Sequence, residues 1–380
     1  MLETFDLKQD PFPMVPNGPV HNWAGRGELK DELVDLVKGV RARDIGVTEF
    51  AIVYGEYGAG KSHALQFLKT YVATNDQFNS LAIYLERPRV ASKINFLEIY
   101  KYIMRDIGKD AIRDCCKKLK TIYQSIVDQK VAGTGYQIKD QSSFHDPAMT
   151  EFAEPDRAMI NLLLVGAEKF DAVYSYLTGE GKYDLEGLAP KIDSDFVAAK
   201  VLGQFFRVIT ADYKDKERIY ESVYLFVDEC EILIDVKASE SELLFTGFRE
   251  LINELPYRFS LLLSFSAATA LIEAIMPIHL LKRMTRPYIE VGPLDDQHAR
   301  EFIKSQMNFY RTENSPYVDT FYPFSNEAMD DIIGHMVDLT PRNIFIQCKR
   351  VLERSIRKYE LKKGEEISAE MANRILENYR

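Results

Sequence analysis

Residues 55–62, with the sequence GEYGAGKS, stand between a short apolar run at 50–54 and a helical pattern over 61–72. This is the GxxxxGK[ST] spacing in its strand–loop–helix setting. Glycines let the backbone curl so that successive N–H groups point at phosphate oxygens, and the N-terminus of the following helix adds further N–H donors. The motif therefore predicts a phosphate-binding loop, which restricts the chain to folds in which such a loop joins a buried parallel strand to a helix.

The residues of this loop have separate expected roles. Lys61 is expected to reach the β- and γ-phosphates of ATP, and the Ser62 hydroxyl is expected to bind Mg²⁺. We predict that the nucleotide is held by Gly55, Gly58, Ala59, Gly60, Lys61, Ser62 and His63.

A pair of acids follows a second apolar run, VYLFV at 223–227. Asp228 is predicted to bind Mg²⁺, and Glu229 is predicted to orient and activate the attacking water. Glu231 follows closely and is expected to point elsewhere. Kinases can also carry a phosphate-binding loop, but the adjacent Asp–Glu pair favours water as the acceptor, so we predict ATP hydrolysis.

Further apolar runs at 81–85, 259–265 and 288–291 alternate with helical patterns. Continuous apolar runs are typical of strands buried on both faces of a parallel sheet, and alternation with helices is typical of an α/β fold. We predict a five-stranded parallel sheet flanked by helices.

Long helical stretches interrupt and follow this alternation. Four helical patterns, at 94–107, 110–131, 156–177 and 193–213, lie between the second and third runs and predict a large helical insertion. After Pro293 the patterns are all helical, at 296–310, 325–337, 341–362 and 368–379. The expected domains are an N-terminal segment (1–49), a core with its insertion (50–293, insertion 90–220) and an all-α lid domain (294–380).

Composition and charge limit the kinds of partner that this chain is expected to bind. The net charge of −10 argues against coating nucleic acid through bulk electrostatics, but it leaves room for a local basic groove. No apolar run reaches the roughly 18 residues needed to cross a bilayer, and the N-terminus lacks the pattern of a secretory signal. A cytoplasmic protein without a membrane partner is expected, with its four cysteines as reduced thiols.

Several residues resemble those of AAA+ ATPases. Trp23-Ala-Gly25-Arg26 resembles the GR box of the initiator-like branch, which implies that Gly25 and Arg26 help to frame an adenine pocket. The opening FDLKQDPF resembles ExeA-type and transposition-regulator ATPases. GEYGAGKSHALQFL and FLEIYKYIM are similar to segments of the ATP-binding proteins of BREX-type phage-defence systems.

The resemblance implies further catalytic residues. Ser266, with Ser264 as the second choice, matches the polar sensor 1 at the end of a core strand. Arg283 or Arg286 matches the arginine finger that reaches the γ-phosphate in a neighbouring subunit, which implies a homo-oligomer, either a ring or a filament. Arg342, in the Pro-Arg pair that opens the third lid helix, matches sensor 2.

Two hypotheses remain for what the ATP drives. In the first, the chain acts on or loads onto DNA, and the cations Arg87, Arg89 and Lys93 or the basic lid segment 349–363 contact phosphates. A solvated turn and a salt-bridged surface helix are the alternative explanations for these cations. In the second hypothesis, the chain is an ATP-dependent switch with slow hydrolysis that regulates a protein effector through residues 90–220. A small-molecule kinase is disfavoured by the sensor residues and the dedicated lid.

Overall fold

The computed structural model describes residues 2–13, 20, 22–41, 48–75, 77–89, 94–134, 152, 156–213 and 217–377. The chain divides into two compact units. The first unit comprises Met1–Asp35, Tyr54–Tyr71 and Glu290–Arg380, and the second comprises Leu36–Val53 and Val72–Ile289.

A five-stranded parallel sheet forms the centre of the second unit, and only the last residues of two strands belong to the first. Its strands are β1 Glu49–Tyr54, β2 Leu81–Leu85, β3 Val223–Val227, β4 Phe259–Phe265 and β5 Ile289–Glu290. They are arranged in the order β2-β3-β4-β1-β5. Every residue of β3 and β4 is buried, which is the physical reason why both sequences are mainly apolar, with Ser260 and Ser264 as the polar residues of β4. The predicted α/β fold with a parallel sheet is confirmed.

Helices account for most of the remaining described residues. In chain order they are α1 Gly27–Arg41, α2 Lys61–Thr74, α3 Phe96–Ile107, α4 Lys109–Thr134, α5 Arg157–Gly166, α6 Phe170–Leu177, α7 Asp195–Thr210, α8 Ala238–Glu254, α9 Thr269–Ile275, α10 Ile278–Leu281, α11 Asp296–Phe309, α12 Asn326–Gly334, α13 Pro341–Lys358 and α14 Ala369–Glu377. None of the described helices is both long and apolar enough to cross a membrane. All four cysteines are buried and free.

The helical insertion between β2 and β3 is built from α3–α7. Side-chain caps define two of its helix starts: Asn95 accepts a hydrogen bond from the Glu98 N–H at 2.9 Å, and Ser194 accepts one from the Val197 N–H at 3.3 Å. These caps explain why α3 and α7 begin one or two residues later than the apolar periodicity alone predicts.

The single helix expected over 156–177 is wrong, because the segment forms two helices, α5 and α6. The chain turns after Gly166, where a Cβ would lie 2.8 Å from the Cys116 Sγ and 3.2 Å from a Val173 methyl carbon. The missing side chain therefore allows a close approach to α4 and α6 at the turn. Apolar periodicity continues through this turn because both helices bury an apolar face, so the break has no signal in the periodicity.

The lid helices α11–α14 form a hydrophobic core of their own in the first unit, together with the N-terminal residues. Phe5, Leu7 and Phe12 are each 0% exposed within this core. Arg311, itself buried, donates hydrogen bonds to the Phe5 carbonyl at 3.0 Å and to the Tyr322 carbonyl. Phe5, Leu7 and Phe12 are therefore packed in the same core as α11–α14, although some 280 residues separate them from these helices along the chain.

Candidate nucleotide-binding site

The phosphate loop of the first unit follows β1 directly and leads into α2. Gly55 has φ 154° and Gly58 has φ 83°, conformations that residues with a side chain rarely adopt. A Cβ at Gly55 would lie 2.1 Å from the Val291 carbonyl oxygen, and one at Gly58 would lie 2.8 Å from the Arg342 Cβ. Both glycines are required by the backbone path and by close neighbours, although the motif fixes only Gly55 of the two and leaves position 58 free.

Lys61 points back into the loop from the first turn of α2. It is 5% exposed, and its ammonium donates hydrogen bonds to the carbonyls of Gly55 at 3.1 Å and Glu56 at 2.8 Å. Ser62, next to it, is exposed at the helix start. This arrangement holds a positive charge within the curled backbone, where a phosphate group needs it.

Arg26 contacts the same loop, although it lies 29 residues before Gly55 in the chain. Its guanidinium donates to the Ala59 carbonyl at 2.7 Å and to the Gly292 carbonyl. Burial lowers the pKa of Arg26 to about 10, so the group stays charged at neutral pH. The Gly-Arg pair identified in the sequence therefore contacts the phosphate loop directly.

Aromatic rings pack beside Arg26. The Trp23 ring lies 5.0 Å from that of Phe67 and 6.1 Å from that of His63, and the Trp23 indole N–H donates to the Gly25 carbonyl at 2.7 Å. Burial, and then the charge of Arg26, lowers the pKa of His63 to about 4. His63 is therefore neutral near pH 7, and the aromatic wall next to the loop carries no charge of its own.

Arg342 approaches the loop from the N-terminus of α13. The Thr340 side chain caps this helix, accepting from the Asn343 N–H at 3.4 Å. The Arg342 N–H donates to the Gly58 carbonyl at 3.3 Å, and its guanidinium donates to the Tyr57 hydroxyl at 2.8 Å and lies 4.6 Å from that ring's centre. The sequence analysis did not identify Tyr57, because the motif leaves its position free.

The first unit thus gathers three cationic side chains at one loop. Lys61 lies inside the loop, Arg26 binds its Ala59 carbonyl, and Arg342 contacts Tyr57 and Gly58. Cations and backbone N–H groups at a helix start form an anion-binding arrangement.

The acidic residues belong to the second unit. Asp228 follows β3 and is 2% exposed. One carboxylate oxygen accepts from the Tyr84 hydroxyl at 2.8 Å, and the other accepts from the Glu229 N–H at 2.9 Å. Each oxygen keeps further lone-pair capacity, so the carboxylate can still bind a cation.

The Asp228 carboxylate suits Mg²⁺ better than it suits a metal whose ligands all come from protein side chains. No group of three or more His, Cys, Asp or Glu side chains within the described residues could hold a metal ion. Mg²⁺ usually takes one or two protein ligands and completes its shell with phosphate oxygens and water. A single buried carboxylate such as Asp228 meets that requirement.

Glu229 lies in a strained and charged environment. Its φ of 48° is left-handed, which is rare for a residue with a side chain. Burial raises its pKa, the Arg87 charge opposes that rise, and the charges of Asp228, Glu86 and Glu231 add to it. Arg87 lies 3.4 Å from the Glu229 carboxylate.

Arg87, one of the cations considered for nucleic-acid contact, pairs with two acids. It lies 3.4 Å from the Glu229 carboxylate and 3.1 Å from the Glu86 carboxylate. Arg89 is exposed, and Lys93 lies outside the described residues. In the basic lid segment, Lys349 forms an ion pair with Asp10.

The candidate sensor residues end β4. Ser264 is fully buried, and its hydroxyl has no hydrogen-bond partner among the described residues. Ser266 is half-buried, and its backbone N–H donates to the Glu231 carboxylate at 3.0 Å. The sequence analysis did not assign Glu231 this contact, because the pairing of β3 with β4 is not encoded locally.

The two candidate arginine fingers differ in their surroundings. Arg286 lies 3.5 Å from the buried Glu49 carboxylate, which also accepts from Thr285. Arg283 is exposed and forms no ion pair with the described part of the chain. Only Arg283 is therefore available to a second molecule without first breaking a contact.

Comparisons with known proteins bear on the fold. No protein-family model matches the sequence, and no curated protein matches it significantly. The ORC2 protein of Aeropyrum pernix, solved as ADPNP-ADP complexes, is similar at TM-score 0.52 and 12% identity over 94% of this chain and 69% of that chain. The A. pernix ORC1 protein in complex with DNA is similar at TM-score 0.50 and 10% identity, over 97% of this chain and 69% of that one.

A chain of Drosophila ORC bound to DNA is matched less closely, at TM-score 0.46 and 11% identity over 96% of this chain and 63% of that one. The two A. pernix structures show that this chain shares the fold of those ORC proteins. The further resemblance to BREX-type phage-defence proteins stays a prediction.

Proposed function

We propose that this protein binds ATP with Mg²⁺ and hydrolyses it. The observation that carries the proposal is the convergence of Lys61, Arg26 and Arg342 on one glycine-rich loop at a helix start. Polyphosphate is the ligand whose charge such a loop balances. The Ser266 hydroxyl acts as the sensor that helps to position water.

In this proposal, Ser62 and Asp228 hold Mg²⁺, which neutralises charge on the phosphate oxygens when bound. The Tyr84 hydroxyl holds Asp228 in place, and the carboxylate keeps lone pairs with which it could bind the ion. Glu229 takes the proton from water, a role for which a raised carboxyl pKa is suited.

Two variants test binding and hydrolysis separately. Lys61→Ala is expected to abolish ATP binding, because it removes the cation within the loop. Glu229→Gln is expected to bind ATP normally and to lose turnover, because an amide cannot accept the proton. Equilibrium binding of labelled ATP and steady-state phosphate release measure the two effects, with Lys38→Ala, an exposed lysine on α1, as the control. Normal ATP binding by Lys61→Ala would refute the phosphate site, and wild-type turnover by Glu229→Gln would refute the base.

We further propose that the ATPase works as a homo-oligomer, a ring or a filament, acting on or loading onto DNA. The supporting observations are the fold shared with an ORC1 protein solved in complex with DNA and the exposure of Arg283, which forms no ion pair with the described residues. Arg283 acts as the arginine finger on a second subunit, whereas Arg286 stays bound to Glu49.

The oligomer and DNA are tested in one set of measurements. ATPase rate and particle size are recorded with and without double-stranded DNA, at low and moderate salt, since contacts to phosphates weaken as salt rises. Arg283→Ala is expected to bind ATP but lose turnover by about 10³-fold. Arg286→Ala, the matched control, is expected to lower the melting temperature and to keep more of the turnover. Full turnover in Arg283→Ala would refute the shared site.

One observation favours the second hypothesis, an ATP-dependent switch that acts on a protein effector through residues 90–220. Arg87 pairs with Glu229, and its charge stabilises the carboxylate form, which disfavours proton uptake by Glu229. Slow turnover is expected while the pair persists. Tight ATP binding with little turnover, unchanged by DNA, would support the switch over the DNA-directed ATPase.

A further inference from the structure

The turn that follows the acid pair makes a specific contact with the end of β4. Glu231 lies within the 3₁₀ turn Cys230–Leu233, and one of its carboxylate oxygens accepts a hydrogen bond from the Ser266 N–H at 3.0 Å. Ser266 is the first residue after β4. The contact therefore joins the loop that carries Glu229 to the strand end that carries the candidate sensor.

The turn itself is rigidly tied to Glu229. The Ile232 N–H donates to the Glu229 carbonyl at 3.3 Å, and the Ile234 N–H donates to the Glu231 carbonyl at 2.9 Å. Cys230 is fully buried, and its thiol donates to the Val227 carbonyl at 3.5 Å. A shift of Ser266 is therefore passed through Glu231 to the segment that bears Glu229.

We infer that Glu231 is a positioning residue for ATP hydrolysis, whose carboxylate holds Ser266 in register with Glu229. The inference rests on the proposed ATPase function. In this role Glu231 transfers no proton and binds no metal, and its carboxylate serves only as the acceptor for the Ser266 N–H. For this role, residue 231 needs a hydrogen-bond acceptor on a side chain as long as that of glutamate, which has three carbons beyond Cα. The negative charge of the carboxylate strengthens the hydrogen bond.

The size of the effect follows from this geometry. Misplacing a reacting group by about 1 Å can cost about 100-fold in rate. Loss of the acceptor frees the strand end without touching the phosphate loop residues. The turnover number is therefore expected to fall by about 10- to 100-fold, while ATP affinity stays as in the wild type.

Three substitutions of Glu231 separate the effect of side-chain length from the effect of charge. Glu231→Gln keeps the length and an acceptor oxygen, so it is expected to keep turnover within about threefold of wild type. Glu231→Asp keeps the charge but is one methylene too short, and Glu231→Ala has neither, so both are expected to lose turnover as estimated above. Glu242→Ala, an exposed glutamate on α8, is the control.

The readouts are the turnover number, ATP affinity, the melting temperature and the hydrogen-exchange protection of the Ser266 amide. Protection of that amide is expected to persist in Glu231→Gln and to fall in Glu231→Asp. If Glu231→Ala does not fold, the Gln and Asp variants alone decide the question. Activity in the Asp variant with inactivity in the Gln variant would overturn the inference, as would wild-type turnover in Glu231→Asp.

The same assay keeps this inference distinct from the proposed function. Absence of phosphate release by the wild type would remove the proposed ATPase function and the inference with it. Wild-type turnover in Glu229→Gln would remove the proposed base, and with it the residue that Glu231 is inferred to position. Loss of turnover in Glu229→Gln together with full turnover in Glu231→Asp would remove only the role of Glu231.

Discussion

Removing Arg26 tests whether the Gly-Arg pair supports the phosphate loop. The Arg26 guanidinium donates to the carbonyls of Ala59, at 2.7 Å, and Gly292. A hydrogen bond from a charged donor contributes about 1.5–3 kcal/mol, so the two together contribute roughly 3–6 kcal/mol.

Burial of the charge offsets much of that gain. It lowers the pKa of Arg26 to about 10, roughly 2.5 pKa units below the ordinary value, which corresponds to about 3 kcal/mol of lost hydration. The difference leaves a net stabilisation of about 1–2 kcal/mol once carbonyl rehydration in the variant is allowed for. Arg26→Ala is therefore expected to lower the unfolding free energy of the first unit by about that amount.

Trp23 makes this loss measurable. It is the only tryptophan in the chain, and it packs against Phe67 in the same unit as Arg26. Urea unfolding followed by tryptophan fluorescence therefore reports on this unit, and its midpoint is expected to fall in Arg26→Ala. Arg26→Lys is expected to be intermediate, because a compact ammonium cannot reach both carbonyls with the geometry of a guanidinium. Arg89→Ala, which removes an exposed arginine, is the control.

A second readout depends on charge alone. Because the charge of Arg26 is the second cause of the low pKa of His63, after burial, its removal is expected to raise that pKa above about 4. NMR titration of the His63 ring measures the change, and the remaining burial keeps the value below that of a free histidine. An unchanged unfolding midpoint together with an unchanged His63 pKa would show that Arg26 does not contact the loop.

Two further predictions concern the same unit. Gly58→Ala is expected to destabilise the fold by about 1–3 kcal/mol and to weaken ATP binding, because the φ of Gly58 is 83° and a Cβ there would lie 2.8 Å from the Arg342 Cβ. Thermal melting measures the first effect, and ATP titration measures the second. An unchanged melting temperature would contradict the loop geometry. The folded pKa of His63, about 4, is below the unfolded value of about 6.5, so the unfolded chain binds the extra proton between these values and stability falls as pH is lowered from about 6.5 to about 4. In His63→Gln this part of the pH dependence is expected to flatten, and an identical profile in urea midpoints from pH 4 to 7 would contradict it.

Local patterns located the strands and the phosphate loop. The run at 223–227 is β3 without change, and the run predicted at 288–291 contains β5, Ile289–Glu290. Every residue of β3 is buried, so its apolar character is continuous and visible without knowledge of its neighbours. In β5, Ile289 is buried and Glu290 is exposed. The glycines of the loop are likewise required by backbone conformation, which is a local property.

Helix boundaries were less well determined. The pattern over 156–177 predicts one helix where the chain forms α5 and α6, because burial of an apolar face is periodic on both sides of the turn at Gly166. Caps such as Asn95 shift helix starts by a residue or two. The turn at Gly166 depends on how closely α4 and α6 approach it, whereas the cap is a local contact that apolar periodicity does not record.

By itself, the sequence determined the α/β core, the glycine-rich loop between β1 and α2 and the acid pair after a buried strand, because burial and backbone conformation are properties of short segments. Only the tertiary structure decided the strand order β2-β3-β4-β1-β5, the contact of Arg26 with Ala59, the Tyr57–Arg342 pair and the bond from Ser266 to Glu231. These contacts join residues that are far apart in the chain, and their formation depends on how the strands and helices are packed.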